Sequence, residues 1–308
     1  MRTVIVLLGL LTLALPALAE EAPIPRLGEH RFVPVLDLEE PFITTHIQTT
    51  VSLGKAVGAE VPVFALTDST IIGTAKADIF LAGLGFRYQH AAKDWLAVKI
   101  AMGTVARVGT STPSLLADGI TAAVGYDLGW LMRIYHSRTV IVSGSLGLGN
   151  RSSTFVNVLD WLYGLADDAV DVPLVRSRSS LRGQGGLHAA WGLSRRFGLL
   201  GAFNLNYGES FDGFGKNGWN TDARLALSYD VEQDLKIPLG VAATAGRYEV
   251  NESSNPTSMI WFWSLRFAVQ SRGDFTVGLD LKSSYLTSSV DDSNMQITQM
   301  SIDMRYYF

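Results

Sequence analysis

The chain has 308 residues, a formal net charge of -4 and no cysteine, with 47% hydrophobic and 18% charged residues. The missing thiols exclude thiolate catalysis, cysteine metal sites and disulfide scaffolding, and so small a charge argues neither for nucleic acid nor for an anionic lipid surface as partner. The length would allow two domains, but no linker, low-complexity tract or composition shift divides the chain.

Arg2, the apolar run Val4–Leu18 and the small-residue site Ala17-Leu18-Ala19 read as a secretory signal peptide over residues 1–19, cut after Ala19. No later stretch reaches the ~18 apolar residues of a spanning helix. Residues 20–41, with Pro23, Pro25 and Pro34, lack periodicity and read as a lead-in segment before the folded part, 42–308.

From Phe42 the pattern changes to period two, the signature of strands with different surroundings on their two faces. In 42–53, Ile43, Thr45, Ile47, Val51 and Leu53 alternate with Thr44, His46, Gln48, Thr50 and Ser52, and 54–76 reads as a longer connection. Strands over 79–89 and from Leu96 form a hairpin around 91–94, with Phe80, Leu84, Phe86 and Ile100 on one face and Arg87, Lys99 and Arg107 on the other. The strands 120–135 and 139–149 follow, with Asp127 and Arg133 on the polar face and a tight turn at 136–138. Residues 150–181 are the longest interruption. Within them Phe155, Val158, Leu159, Leu162, Tyr163 and Ala166 recur at helical spacing and predict a short amphipathic helix over 155–166.

Strands over 182–193 and 197–208 turn at 194–196. The strand 218–231 carries Asp222, Arg224 and Asp230 on its polar face and turns at 232–234. The strand over 235–248 has the weakest pattern, because Pro238 cannot donate to a ladder. Two clearer strands meet at the turn 271–273, with Arg266 on the first and Asp280 and Lys282 on the second. In the last strand, Met300, Ile302, Met304, Tyr306 and Phe308 alternate with Gln299, Ser301, Asp303, Arg305 and Tyr307.

An apolar face ending in Tyr306-Tyr307-Phe308 resembles the Gram-negative outer-membrane β-barrel proteins, whose last strand closes on an aromatic-x-Phe signal. Asp303 stands where that family often has glycine. The resemblance implies an all-β, antiparallel, up-and-down transmembrane barrel in the outer membrane. Apolar residues would face lipid and polar residues the lumen. It also implies outer-membrane lipid, lipopolysaccharide and the barrel-assembly machinery as partners, the last reading Tyr306 and Phe308. The strands number 12. Their parity places every short turn on the periplasmic side together with the lead-in segment and Phe308, and places the longer connections, including the loop helix, outside the cell.

The concentrated chemistry is on the lumen face: Arg87, Lys99, Arg107, Arg133, Arg224, Arg266, Lys282 and Arg305 against Asp127, Asp222, Asp230, Asp280 and Asp303. In one reading these charges pair across strands and the lumen is closed, filled by side chains or by the lead-in segment. In the other they line a water-filled path with mild preference for anionic or polar small solutes. Twelve strands lie between the filled barrels of about 8 and the open ones of about 16, so size does not decide.

The leading functional reading is a narrow channel or passive transporter for small polar or anionic solutes. The alternative is a closed structural or surface-interaction barrel, and third is an outer-membrane lipid-acting enzyme. A barrel phospholipase needs a Ser/His pair on the outer wall near the external rim. The histidines are instead His30 in the lead-in segment, His46 and His188 facing inward, and His90 and His136 at short turns. No catalytic residue, metal site or cofactor is expected. The acidic groups Asp167, Asp168 and Asp171, and Asp291 and Asp292, read as solvated loops.

Overall fold

The computed structural model describes residues 24–64, 71–109, 120–156, 175–209, 217–251, 258–270, 273–287 and 294–308. A two-residue pair, β1 (Arg26–Leu27) and β2 (His30–Arg31), precedes the barrel. Its strands are β3 (His46–Phe64), β4 (Ile71–Lys93), β5 (Leu96–Gly109), β6 (Ile120–His136), β7 (Val140–Val156), β8 (Val175–Gly192), β9 (Phe197–Glu209), β10 (Asn217–Asp230), β11 (Leu239–Asn251), β12 (Ser258–Val269), β13 (Phe275–Thr287) and β14 (Asn294–Tyr307). Each pairs antiparallel with its sequence neighbours, and β14 pairs with β3 from Gln296↔Val57 to Tyr307↔His46, closing a 12-stranded barrel. Closure leaves no strand edge unpaired.

The alternation read from the sequence sets the two faces. On β14, Ile302, Met304 and Tyr306 are 50%, 51% and 47% exposed, while Ser301, Asp303 and Arg305 are 3%, 1% and 2% exposed. The outer surface is therefore apolar over a band that carries Leu84, Met102, Leu128, Leu146, Leu187, Leu225 and Leu281. Aromatic residues flank it: Trp95, Tyr135, Trp191 and Tyr306 toward the short turns, and Tyr207, Trp219, Trp261 and Tyr285 toward the other end. Such girdles mark the two interfaces of a membrane barrel. No helix among the described residues is long and apolar enough to cross a membrane.

Several boundaries differ from the sequence reading. Residues 54–64 and 71–76, expected in a connection, are strand, and β3 and β4 run to 19 and 23 residues. Bulges between Ala56 and Ala59 and between Val63 and Phe64 interrupt the register, and the small residues Gly54, Ala56, Gly58 and Ala59 blunt the alternation that would have revealed it. Likewise β7 and β8 extend to Val156 and back to Val175, so Phe155 is strand and the rest of the expected helix lies outside the described residues. The five acidic loop residues named above also lie outside them. The turn expected at 232–234 is one helical turn, α1 (Glu232–Leu235), ended by Lys236 at φ 58°. Pro238 sits just before β11 and its missing donor costs the ladder nothing; its carbonyl accepts from Gln270 N–H at 2.8 Å.

Candidate functional site

Residues 24–45 lie inside the short-turn end of the barrel. The segment begins with a tight hairpin: Leu27 pairs with His30, and the loop residues Gly28 and Glu29 have φ of 57° and 72°, the positive values that two-residue hairpin loops require. Leu27, Phe32, Val33, Val35, Leu38 and Phe42 then pack against inward residues of six consecutive strands: Ile141, Ala190, Leu200, Ala202, Ala226, Ala242 and Ala268. The inward alanines leave the width in which a chain can lie. Each of the larger side chains contributes roughly 1.5–3 kcal/mol on burial, set against roughly 1–2 kcal/mol per residue for ordering the backbone. At Gly192 and Gly198 the wall comes closer still, because a Cβ there would overlap the Leu27 carbonyl or the His30 and Phe32 rings.

Polar contacts fix this plug to the short turns. Ile24 N–H donates to the Gly273 carbonyl at 2.8 Å and Gly28 N–H to that of Arg138 at 2.9 Å. Arg31 meets Asp230 at 3.5 Å and also pairs with Glu232, and Glu29 pairs with Arg195. His30 Nδ1 lies 3.2 Å from the Arg195 carbonyl, which can only accept, so Nδ1 carries the proton. Its Nε2 then accepts from Ser228 Oγ at 3.0 Å, and the same Oγ accepts from Val33 N–H at 3.0 Å. Burial holds the His30 pKa below its ordinary 6.5, against the raising effects of the Arg195 carbonyl and Asp230.

The second half of the plug carries the countercharge of the lumen. Asp37 meets Lys282 at 2.5 Å, Glu39 pairs with Lys99, and both Glu40 oxygens accept from Arg305 Nη1 at 2.9 Å. Burial alone would push the Asp37 and Glu39 carboxyls up. Lys282 and Arg224 near the first, and Lys99 and His188 near the second, hold both below the ordinary carboxylate range.

The plug does not fill the bore. It lies against the β7–β12 wall at the short-turn end, and two adjoining cavities remain: one of about 150 Å³ beside β3–β6 and β14, and one of about 250 Å³ beyond the plug, lined mainly by β7–β11; they share Glu39, Arg87, Asp127 and Gln184. The space exists because Ala101 and Gly129 (in the first cavity) and Gly149 (in the second) put almost no bulk into the lumen between the charged positions. The smaller cavity continues along Lys99, Thr44, His46, Gln89 and Arg305 toward the short turns. The larger opens past Arg151, Arg182, Asn204, Asn206, Asp222, Arg224 and Tyr248 toward the other end.

Of the lumen residues expected from the sequence, Arg87, Lys99, Asp127, Asp222, Arg224 and Arg305 line these cavities. Lys282 reaches the plug at Asp37. Arg266, Asp280 and Asp303 face inward but are sunk in the wall, with Arg266 Nη2 2.6 Å from Asp303 Oδ1 and Gln48 Nε2 donating to Asp303 Oδ2 at 2.9 Å. Asp230 serves the Arg31 anchor. Arg107 is on the exposed reach of β5 and Arg133 is half-buried at a bulge of β6, and neither lines the two cavities. The lumen residues expected from the sequence do not include Arg151, which lies beyond the strand end expected at Gly149, or Arg182, at the first position of the strand expected over 182–193. In β7 and β8 they follow the inward parity of Gly147, Gly149 and Gln184.

Catalytic geometry is lacking where its ingredients meet. Ser145 Oγ is 2.8 Å from His188 Nε2, and Glu39 faces that same nitrogen at 3.8 Å. A nucleophile–base–acid relay needs the carboxylate on the other ring nitrogen. Among the described residues no group of His, Asp and Glu could hold a metal ion.

No family model and no curated protein matches the sequence. Solved structures do match the fold. An outer membrane channel from Pseudomonas putida F1 superposes with a TM-score of 0.57 at 10% identity, over 90% of this chain and 100% of that one. The translocator domain of the autotransporter NalP from Neisseria meningitidis gives 0.51 at 11% identity, over 87% and 90%. The β-domain of the Bordetella autotransporter BrkA gives 0.52 at 9% identity, over 86% and 100%. At such identities the likeness defines the fold, which is that of outer-membrane β-barrels.

Proposed function

We propose that this protein is a narrow outer-membrane channel for small polar or anionic solutes, in which residues 24–45 form the constriction. The observation that carries this reading is the pair of adjoining cavities, charged along their whole length, that passes beside the plug and meets at Arg87. In this reading residues 1–19 are a signal peptide cleaved after Ala19, residues 20–41 begin on the periplasmic side and enter the barrel from there, and 42–308 carry the barrel. The short-turn end faces the periplasm. Outer-membrane lipid and lipopolysaccharide cover the apolar band. Tyr306 and Phe308, stacked on the outer face with ring centroids 5.9 Å apart, are offered to the assembly machinery.

Planar-bilayer recording on the intact chain tests the reading. Stepwise conductance with anions more permeant than cations is expected, and Arg87→Glu or Arg224→Glu should move the reversal potential in a salt gradient toward cation preference. A properly folded, heat-modifiable protein that stays silent would overturn it. The apolar core at the short-turn end favours a second reading, a barrel held closed by its plug; that reading requires silence from the intact chain and conductance once the plug is removed.

A further inference from the structure

The cations that line the two cavities are not equivalent. Lys99 and Arg305 are taken up by Glu39 and Glu40, and Arg224 is held by Asp222 through two contacts of 2.7 Å. Arg87 and Arg151 are different: neither makes a hydrogen bond or a direct ion pair with a described residue, and both line the larger cavity. An unengaged guanidinium in a partly dry lumen keeps its full set of donors, in a planar fork that matches a carboxylate.

The flanking groups narrow the chemistry further. Gln184 and Asn206 line the same cavity with side-chain amides that bond to no described residue, and Asn204 contributes a third amide held only by a 3.5 Å contact to Asp222. Each amide offers donors and an acceptor, the complement of a hydroxyl group. Asp127 lies between the two arginines, in the Coulombic field of both, and can accept from hydroxyls. Among the described residues Tyr248 is the one aromatic side chain lining this cavity, and the other polar lining groups are charged residues and amides. The volume of about 250 Å³ corresponds to roughly eight waters at about 30 Å³ each, room for one sugar-sized molecule.

We infer that the larger cavity is a binding site for a small hydroxylated carboxylate, a sugar acid of monomer size, with Arg87 and Arg151 taking the carboxylate and Gln184, Asn204 and Asn206 the hydroxyls. The inference rests on the reading of these cavities as the solute path, and it adds the class of solute.

Binding is measured by equilibrium dialysis on the intact, detergent-solubilised barrel with D-gluconate as the probe and acetate, inorganic phosphate and D-glucose as competitors. Saturable binding of gluconate is expected, with each competitor weaker by about 10-fold or more, as the loss of either the charged or the hydroxyl contacts should produce. Arg87→Gln and Arg151→Gln, each checked for heat-modifiable folding, should each weaken gluconate by about 10-fold. Phosphate or acetate competing as well as gluconate would reduce the site to general anion attraction and overturn the inference. Glucose competing equally, or gluconate binding that ignores both substitutions, would overturn it as well. The channel reading stands or falls separately: a conducting barrel that does not bind gluconate refutes only the binding site, and a silent barrel that binds it refutes only the channel.

Discussion

Arg266 and Asp303 show what a single inward residue can cost. Arg266 is fully buried, its guanidinium is accommodated because Gly278 has no side chain, and Asp303 at 2.6 Å is its counterion. Asp303→Asn keeps the shape and removes the charge in direct contact with Arg266, leaving the buried cation only the field of Asp280, its cross-strand neighbour. Breaking a buried pair in this way costs about 3 kcal/mol or more, so the variant should unfold at clearly lower urea concentration in detergent micelles; an unchanged midpoint would mean that water reaches Arg266. The inward parity of Arg266, Asp303 and their neighbours was legible, because a strand's alternation states which face each residue takes. Which inward charges border a cavity was not legible. That depends on where Ala101 and Gly149 leave room and on what else enters the lumen, and neither follows from a strand's own pattern.

The element that the sequence left as one alternative among others is the plug. Its hydrogen bonds to the barrel are scattered over turn carbonyls and the side chains of separate strands instead of forming a ladder with one neighbour, and Pro25, Pro34 and Pro41 preclude a regular ladder, so it has no period to detect. One signal did exist. The lumen leaned cationic in a chain that is acidic overall, and the missing carboxylates stand together as Asp37, Glu39 and Glu40.

The other half of the plug predicts a pH dependence. His30 is held neutral by its two hydrogen bonds, with Asp230 and Arg31 as the charged groups beside it, and its docked pKa lies below 6.5. Docking by His30 is therefore fully present above pH 6.5 and is lost as pH falls from there through the docked value, because the released segment binds the proton more readily. Asp37 and Glu39, held low, stay ionised across that window. Hydrogen exchange of residues 24–40, corrected for its intrinsic pH dependence, should be faster at pH 5.5 than at 7.5, and His30→Asn should flatten the difference. Gly198→Val tests the same seat without a titration. Its side chain would occupy the space of the His30 and Phe32 rings, and protection of residues 24–40 should fall at both pH values while the barrel stays folded.

At the scale of the whole molecule, barrel and plug are separable. The ring closes through the β14–β3 ladder without residues 24–40, whereas the plug has, beyond its own hairpin and a few internal contacts, only the wall to pack against. A chain lacking residues 24–40 should therefore still assemble and remain heat-modifiable, with lower stability because Leu200 and Ile141 would face water. Its electrical properties should change in two ways from one cause. Removing the segment clears the cross-section at the short-turn end, which raises conductance. It also withdraws three carboxylates from Lys99, Lys282 and Arg305, so that Arg87 is joined by three more uncompensated cations. Fixed charge in a narrow aqueous lumen sets the ratio of permeant ions, and anion preference should rise together with conductance. Restoring one carboxylate on the lumen face, by Ala101→Glu beside the smaller cavity, should lower the preference part of the way without closing the bore. A larger conductance with unchanged selectivity would show that the plug only occupies space, and that its carboxylates do not tune the lumen they pair with.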